Sequence, residues 1–108
     1  MSWTPLSNLQ EWKQILADSH LNHQIVFKHS TRCSISSLAK SRVEKRFMAG
    51  DKFHLLDLLN YRPISNAITN DLNIKHESPQ VLVIKNGMCI YHASHSAIDY
   101  DELMEKIG

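Results

Sequence analysis

The chain has 108 residues, 43% of them hydrophobic, which is enough for one domain with a core of its own. Twelve basic and eleven acidic residues leave a formal charge of +1. The chain therefore lacks the excess of positive charge that is typical of nucleic-acid-binding proteins. Residues 1–5 lack the pattern of a signal peptide, and the longest aliphatic run, 81–84, is far shorter than the ~20 residues that cross a bilayer. We therefore expect a single cytoplasmic domain over residues 1–108, with no nucleic-acid or membrane partner.

The two cysteines, Cys33 and Cys89, could pair in a secreted domain. Without an export signal a reducing compartment is favoured, and free thiols are expected there. Cys89 lies inside a predicted strand between Met88 and Ile90, where a small buried hydrophobic residue is typical. A structural role for Cys89 is therefore favoured, and a second redox thiol is the alternative.

The chain begins with a predicted helix followed by a strand. Ser7 and Gln10 have the spacing of a capping box, and apolar residues then recur at helical intervals, which predicts a helix over residues 8–19. Residues 24–29 combine β-branched and aromatic side chains and predict a buried strand.

A second helix is predicted after a turn at residues 30–32. It begins near Ser34, and Gly50 is expected to end it. Its predicted apolar face consists of Ile35, Leu38, Ala39, Val43 and Phe47.

Residues 52–59 predict a second inner strand, with a short helix as the alternative. Pro63 suits the first turn of a helix over residues 64–72. Pro79 then precedes a strand over residues 80–84, where a residue without a backbone donor is tolerated.

The chain closes with a predicted hairpin and a helix. Asn86-Gly87 is a strong two-residue hairpin signal that joins the preceding strand to a strand over residues 88–92. Ser96 is the predicted cap of the last helix. The residues of this segment that are predicted to face inward are Ile98, Leu103 and Ile107.

The predicted order of elements is α-β-α-β-α-β-β-α. Strands separated by helices are expected to be parallel, whereas the closing hairpin must be antiparallel. A mixed four-stranded sheet flanked by helices follows, which is the thioredoxin-like α/β class. The order of the strands in the sheet stays open.

Cys33 lies between the strand over 24–29 and the helix that begins near Ser34, where the sites of open α/β sheets form. The helix N-terminus offers unpaired N–H groups, among them those of Ile35 and Ser36, and a partial positive charge. Arg32 adds a full charge, and the Ser36 hydroxyl is predicted to donate to the sulfur. All of these favour the thiolate, which is the attacking species in disulfide exchange. The alternative is a cysteine that only packs or caps the helix.

Cys33 and Ser36 form a C-x-x-S motif, in which serine replaces the second cysteine of a C-x-x-C pair. Cys33 then has no neighbouring thiol that resolves a mixed disulfide. We expect it to capture one thiol adduct, which an external thiol releases.

Three segments, residues 25–36, 61–65 and 76–80, resemble the monothiol bacilliredoxin family, and the similarity runs through nearly the whole chain. The resemblance implies a thioredoxin fold and removal of bacillithiol from S-bacillithiolated cytosolic client proteins. It implies Cys33 as the nucleophile and bacillithiol as thiol co-substrate, with no bound cofactor. It further implies a cis Ser78-Pro79 bond opposite Cys33, where the Ser78 backbone pairs with the incoming disulfide.

The substrate-binding residues predicted around Cys33 are Arg32, Ser34, Ser36, Arg62, Ser78 and Pro79. Residues 93–96, Ala-Ser-His-Ser, differ from the Gly-Gly element of glutathione-dependent glutaredoxins, which disfavours glutathione. Bacillithiol carries malyl carboxylates, and Arg32 and Arg62 are predicted to bind them by charge-assisted hydrogen bonds. The alternative for each arginine is an ordinary solvated side chain.

Two other functions stay open. Some single-cysteine glutaredoxins carry iron–sulfur clusters, but they typically show Cys-Gly-Phe-Ser, and residues 33–36 differ at both middle positions. A redox-inert adaptor is the third possibility. The seven histidines show no zinc spacing, so no metal site is predicted. Strand alternation places at most one of Lys28 and His29 near the thiol.

Overall fold

The computed structural model describes residues 2–47 and 52–107. Strands and helices alternate along most of the chain, as the sequence predicts, and a short 3₁₀ turn at His95–Ala97 precedes the last helix. The elements are β1 Ser2–Pro5, α1 Leu9–Asp18, β2 Gln24–His29, α2 Ser34–Glu44, β3 Lys52–Asp57, α3 Arg62–Leu72, β4 Gln80–Lys85, β5 Met88–Ser94 and α4 Tyr100–Ile107.

The described residues form one five-stranded sheet in the order β1-β3-β2-β4-β5. Strands β1, β3 and β2 are parallel, while β4 is antiparallel to β2 and β5 is antiparallel to β4. The predicted α/β class is confirmed, but the predicted count of four strands is wrong. Strand β1 has only four residues and ends in a proline, so it shows no alternating pattern. It is held by pairing with β3 and by the Trp3 ring, which packs against Phe27 and Phe53.

Both faces of the sheet are covered, which makes β2 and β4 buried on both sides. Helices α2 and α4 cover one face, over a core that includes Phe27, Val43 and Leu103. Helices α1 and α3 cover the other face, over a core that includes Trp12 and Ile68. The carboxyl ends of β2 and β3 and the start of β4 meet at one edge of this sheet.

The start of α1 differs from the prediction by one residue. Asn8, not Ser7, is the N-cap, and its side chain accepts a hydrogen bond from Glu11 N at 2.8 Å. The Glu11 carboxylate in turn accepts from Ser7 N at 2.7 Å. Glu11 thus bonds the amide that precedes the N-cap residue and not the N-cap amide of a true capping box, and Gln10 has no part in the pattern.

The apolar face predicted for α2 is partly wrong. Ile35 and Leu38 are 58% and 60% exposed. The residues that α2 buries are Ser36, Ala39 and Val43. The helix face that packs on the sheet is thus more polar than the predicted face. Ser36 can be buried there because His29 and Ser30 are its hydrogen-bond partners. The helix ends at Glu44, and Gly50, its predicted stop, lies outside the described residues.

The predicted hairpin is confirmed, because Asn86 and Gly87 both adopt positive φ, at 54° and 74°, as a primed turn requires. The helix over Arg62–Leu72 carries Pro63 in its first turn, also as predicted. The predicted cap of the last helix is wrong. Asp99 accepts from the backbone N–H of Asp101 at 2.8 Å, whereas Ser96 belongs to the 3₁₀ turn.

Candidate functional site

Cys33 is the residue immediately before α2, at the edge where β2 ends. Its N–H donates to Ser30 O at 3.2 Å, and its carbonyl accepts from Ser37 N at 3.0 Å. The thiol is free and half-buried, and it makes no capping hydrogen bond to the helix. Cys33 is thus the N-cap residue of α2 by its backbone alone, and a capping role of the thiol is not observed, whereas the alternative in which the cysteine only packs stays open. A partly accessible sulfur at a helix N-terminus is the arrangement that disulfide exchange needs.

Ser36 does not have the predicted role at the sulfur. It is completely buried, and its Oγ accepts from Ser30 N at 3.0 Å and lies 2.7 Å from His29 Nδ1. Both of these contacts lie inside the fold. Ser36 therefore closes the turn that carries Cys33, and its part in substrate binding stays a prediction.

His29 is the partner that sequence reasoning did not identify. Burial lowers the pKa of His29, and the nearby Lys40 charge lowers it further. His29 Nδ1 and the Ser30 N–H group both contact Ser36 Oγ, at 2.7 Å and 3.0 Å, so the three residues form one buried hydrogen-bonded group. Side chains alternate along β2, so Lys28 and His29 lie on opposite faces of the sheet. His29 points to α2, whereas Lys28 points to His76.

A polar groove of about 300 Å³ lies beside the turn that carries Cys33. Thr31 and Arg32 form one wall, and Leu59 and Asn60 form the other. Leu59 and Asn60 were missed by sequence reasoning. Their position just after β3 was the available signal, because the carboxyl ends of neighbouring parallel strands meet at one edge.

The Ser78-Pro79 peptide bond is cis, as the family resemblance implies. Gln80 pairs with Lys28 at the end of β2, so Pro79 enters the sheet next to the turn that leads to Cys33. Pro79 is buried and its carbonyl accepts from His95 N at 3.0 Å. Ser78 is half-buried, and its Oγ has no hydrogen-bond partner among the described residues.

Arg62, Arg32 and Ser34 are all exposed at this edge of the sheet. Arg62 is the first residue of α3. Its charge lowers the pKa of His76, which places Arg62 near the segment 75–79. Arg32 lies in the groove with Leu59. The two arginines therefore have different neighbours at this edge. Each is free to meet an anionic group in solvent at this edge.

Cys89 lies at the opposite end of the sheet from Cys33. It pairs with Ile84, four residues along β4 from Gln80, which corresponds to ~13 Å of strand. Burial raises the pKa of the Cys89 thiol, and its Sγ donates to Tyr91 O at 3.3 Å. The structure therefore favours the structural role and places Cys89 away from the site.

We expect Cys89→Ala to leave the reaction of Cys33 with disulfides within about twofold of the unmodified protein. The physical reason is that Cys89 lies beside Ile84, at the far end of β4 from Gln80, which pairs with the end of β2 that leads to Cys33. Adduct formation followed by intact mass checks this. A Cys89→Ala protein that captures an adduct but cannot release it would show instead that Cys89 resolves the mixed disulfide.

Within residues 2–47 and 52–107, no group of three or more His, Cys, Asp and Glu side chains has the arrangement of a metal site. In the same ranges no helix combines the length and the apolar composition needed to cross a bilayer.

A five-stranded mixed sheet, helices on both faces and an accessible thiol at the start of α2 define a redox protein of thioredoxin fold. The structure resembles a solved protein described as having a thioredoxin fold, with a TM-score of 0.83 and 28% identity, over 96% of this chain and 92% of that one. The family model of the monothiol bacilliredoxin BrxC matches residues 4–103. The chain therefore belongs to the monothiol bacilliredoxin family and has a thiol redox role.

Two thioredoxins share the fold at lower identity. The Malassezia sympodialis protein matches with a TM-score of 0.73 and 22% identity, over 98% of this chain and 88% of that one. The Fasciola hepatica protein matches with a TM-score of 0.73 and 14% identity, over 96% of this chain and 95% of that one. At these identities the similarity concerns the fold alone.

Proposed function

We propose that this protein removes bacillithiol from S-bacillithiolated cysteines of cytoplasmic client proteins. The observation that carries the proposal is a partly exposed free cysteine at the start of α2, in a chain of the monothiol bacilliredoxin family. The position of a second redox cysteine is occupied by Ser36, whose hydroxyl is committed to His29 and Ser30. This supports a one-thiol mechanism.

In the first step the Cys33 thiolate attacks the bacillithiol sulfur of the client's mixed disulfide. The client S–S bond breaks, a Cys33–bacillithiol disulfide forms, and the client cysteine leaves as a thiolate that takes a proton from solvent. A free bacillithiol thiolate then attacks the bacillithiol sulfur held on Cys33. This releases bacillithiol disulfide and restores the Cys33 thiolate, so atoms and electrons balance over the two exchanges.

Intact-mass analysis tests the proposal. The protein is mixed with an S-bacillithiolated client, and we expect the wild type to gain the mass of one bacillithiol while the Cys33→Ala variant gains none. Loss of bacillithiol from the client in the presence of Cys33→Ala would contradict the proposal. A purified protein with the visible absorption of an iron–sulfur cluster would favour the carrier function instead.

The two exposed arginines are proposed to bind the malyl carboxylates of bacillithiol. Arg32 lines the groove beside Cys33, and Arg62 begins α3 on the side of His76. The double variant Arg32→Gln, Arg62→Gln is expected to lose about tenfold or more in kcat/KM, since each charge-assisted bond is worth about 1.5–3 kcal/mol.

Salt provides the control for the arginine prediction. The wild-type rate is expected to fall with rising ionic strength, and the double variant is expected to be less salt-sensitive. A matched variant at exposed Lys13, Lys13→Gln, lies on α1 and is expected to change neither quantity. An unchanged rate and salt dependence in the double variant would overturn the assignment.

A further inference from the structure

Lys28 is a buried cation that the proposed reaction does not use. Its side chain is 0% exposed, on the face of the sheet that α3 covers. Its Nζ lies 3.3 Å from His76 Nδ1, and its cross-strand neighbour is Gln80. Burial lowers the pKa of Lys28 from its ordinary 10.5 to about 8, so the ammonium form still prevails at neutral pH. Such a charge is costly to bury, which calls for a reason for its presence.

The contacts of Lys28 belong to a set that holds one segment, residues 75–79, which we call the His76 loop. The ring of His76 is reached from β2 by Lys28 Nζ and from α3 by Ser65 Oγ, both at 3.3 Å from Nδ1. From β4, Gln80 Nε2 donates to Lys75 O at 3.1 Å. Three elements thus fix this loop, and the loop carries Ser78 and Pro79.

We propose that Lys28 is a positioning residue that anchors the His76 loop beside Cys33 and so sets the affinity for the protein substrate. The inference rests on the proposed function, because it concerns how that substrate is captured. Lys28 is buried and acts through its contact with His76, while Ser78 is half-buried in the loop that this contact holds.

The anchor depends on the charge of His76. Its Nδ1 accepts a hydrogen bond from the Lys28 ammonium only while the ring is neutral. The charged groups that face it are Lys28 from β2, Arg62 from α3 and Glu77 from the loop itself. Burial and the two cations lower the pKa of His76, against the opposite effect of Glu77, so the ring is neutral near pH 7. Protonation at lower pH places a proton on Nδ1 against Lys28 and breaks the anchor.

The first experiment compares Lys28→Met with Lys85→Met, an exposed lysine on β4 that serves as the matched control. Hydrogen exchange is measured in the free proteins, without any substrate. We expect the amides of the His76 loop to exchange about tenfold faster in Lys28→Met and unchanged in Lys85→Met, as loss of about one hydrogen bond predicts. Unchanged exchange in Lys28→Met would overturn the anchor, whatever the substrate of the protein is.

The second measurement connects the anchor to catalysis. For an S-bacillithiolated client, Lys28→Met is expected to raise KM about tenfold while kcat stays within about twofold. Alkylation of Cys33 by iodoacetamide, which needs no docking, is expected to be unchanged. An unchanged KM in an active protein would overturn the link to substrate capture. A wild type that forms no adduct with the client would count against the proposed function alone, since the exchange result decides the anchor separately.

A pH series gives the third arm. Binding of the S-bacillithiolated client to Cys33→Ser is measured, because this background removes the titration of the thiol. We expect Kd to rise as pH falls through the range in which His76 takes up its proton. The same series with His76→Gln added is expected to be flat, because glutamine does not titrate there. Identical pH dependence in both proteins would overturn the role of His76.

Discussion

Replacing Ser36 with alanine is expected to lower the free energy of unfolding by about 2–4 kcal/mol. The hydroxyl satisfies two groups, Ser30 N at 3.0 Å and His29 Nδ1 at 2.7 Å, at a position with no exposure. Each buried polar group left without a partner costs about 1–3 kcal/mol. Urea denaturation at neutral pH, followed by circular dichroism, measures the change.

The neighbouring Ser37 provides the control for this experiment. Ser37 lies on the same turn of α2 but is exposed, so Ser37→Ala is expected to change the free energy of unfolding by less than about 0.5 kcal/mol. Equal stabilities of the Ser36→Ala and Ser37→Ala proteins would show that the buried bonds to His29 and Ser30 do not hold the turn.

Replacing Lys28 with methionine is expected to raise the free energy of unfolding at pH 7 by about 2 kcal/mol. The folded-state pKa of about 8, against 10.5 when exposed, corresponds to a penalty of about 3 kcal/mol for the buried ammonium. Loss of the bond to His76 offsets about 1 kcal/mol of the gain. Faster exchange in the His76 loop and greater global stability are compatible, because one is local and the other concerns the whole fold.

The lowered pKa of Lys28 also predicts how the free energy of unfolding depends on pH. Between pH 8 and 10.5 the unfolded chain binds more protons at Lys28 than the folded one, so stability rises with pH. Above pH 10 Tyr91 opposes this, because burial and Glu102 raise its folded-state pKa to about 12. We therefore expect wild-type stability to gain about 2 kcal/mol from Lys28 between pH 8 and 10. Lys28→Met is expected to lack this rise and Lys85→Met to keep it; equal slopes in all three proteins would contradict the prediction.

The local elements were predictable because each depends on nearby residues. Asn86-Gly87 favours a primed turn through its own backbone preferences, and Pro63 favours the first turn of a helix. The position of Cys33 followed in the same way, from a β-branched run that ends just before a helical pattern.

Features that depend on contacts between distant segments were missed. Strand β1 exists because the Trp3 ring packs against Phe27 and Phe53, which are far away in sequence. Which face of α2 is buried depends on His29, because its ring is the hydrogen-bond partner of the buried Ser36. With Ser36 facing the core, Ile35 is exposed to solvent.

The α/β class, the hairpin and the thiol at a helix start can be read from local sequence, because turn preferences and hydrophobic periodicity act over a few residues. Which polar groups are buried together depends on contacts between segments that are distant in sequence, and so on the folded structure. The folded structure places Ser36 against His29 and Lys28 against His76, on opposite faces of one strand. Burial makes such pairs necessary, since a polar group removed from water needs a partner, and the fold rather than the local pattern supplies it.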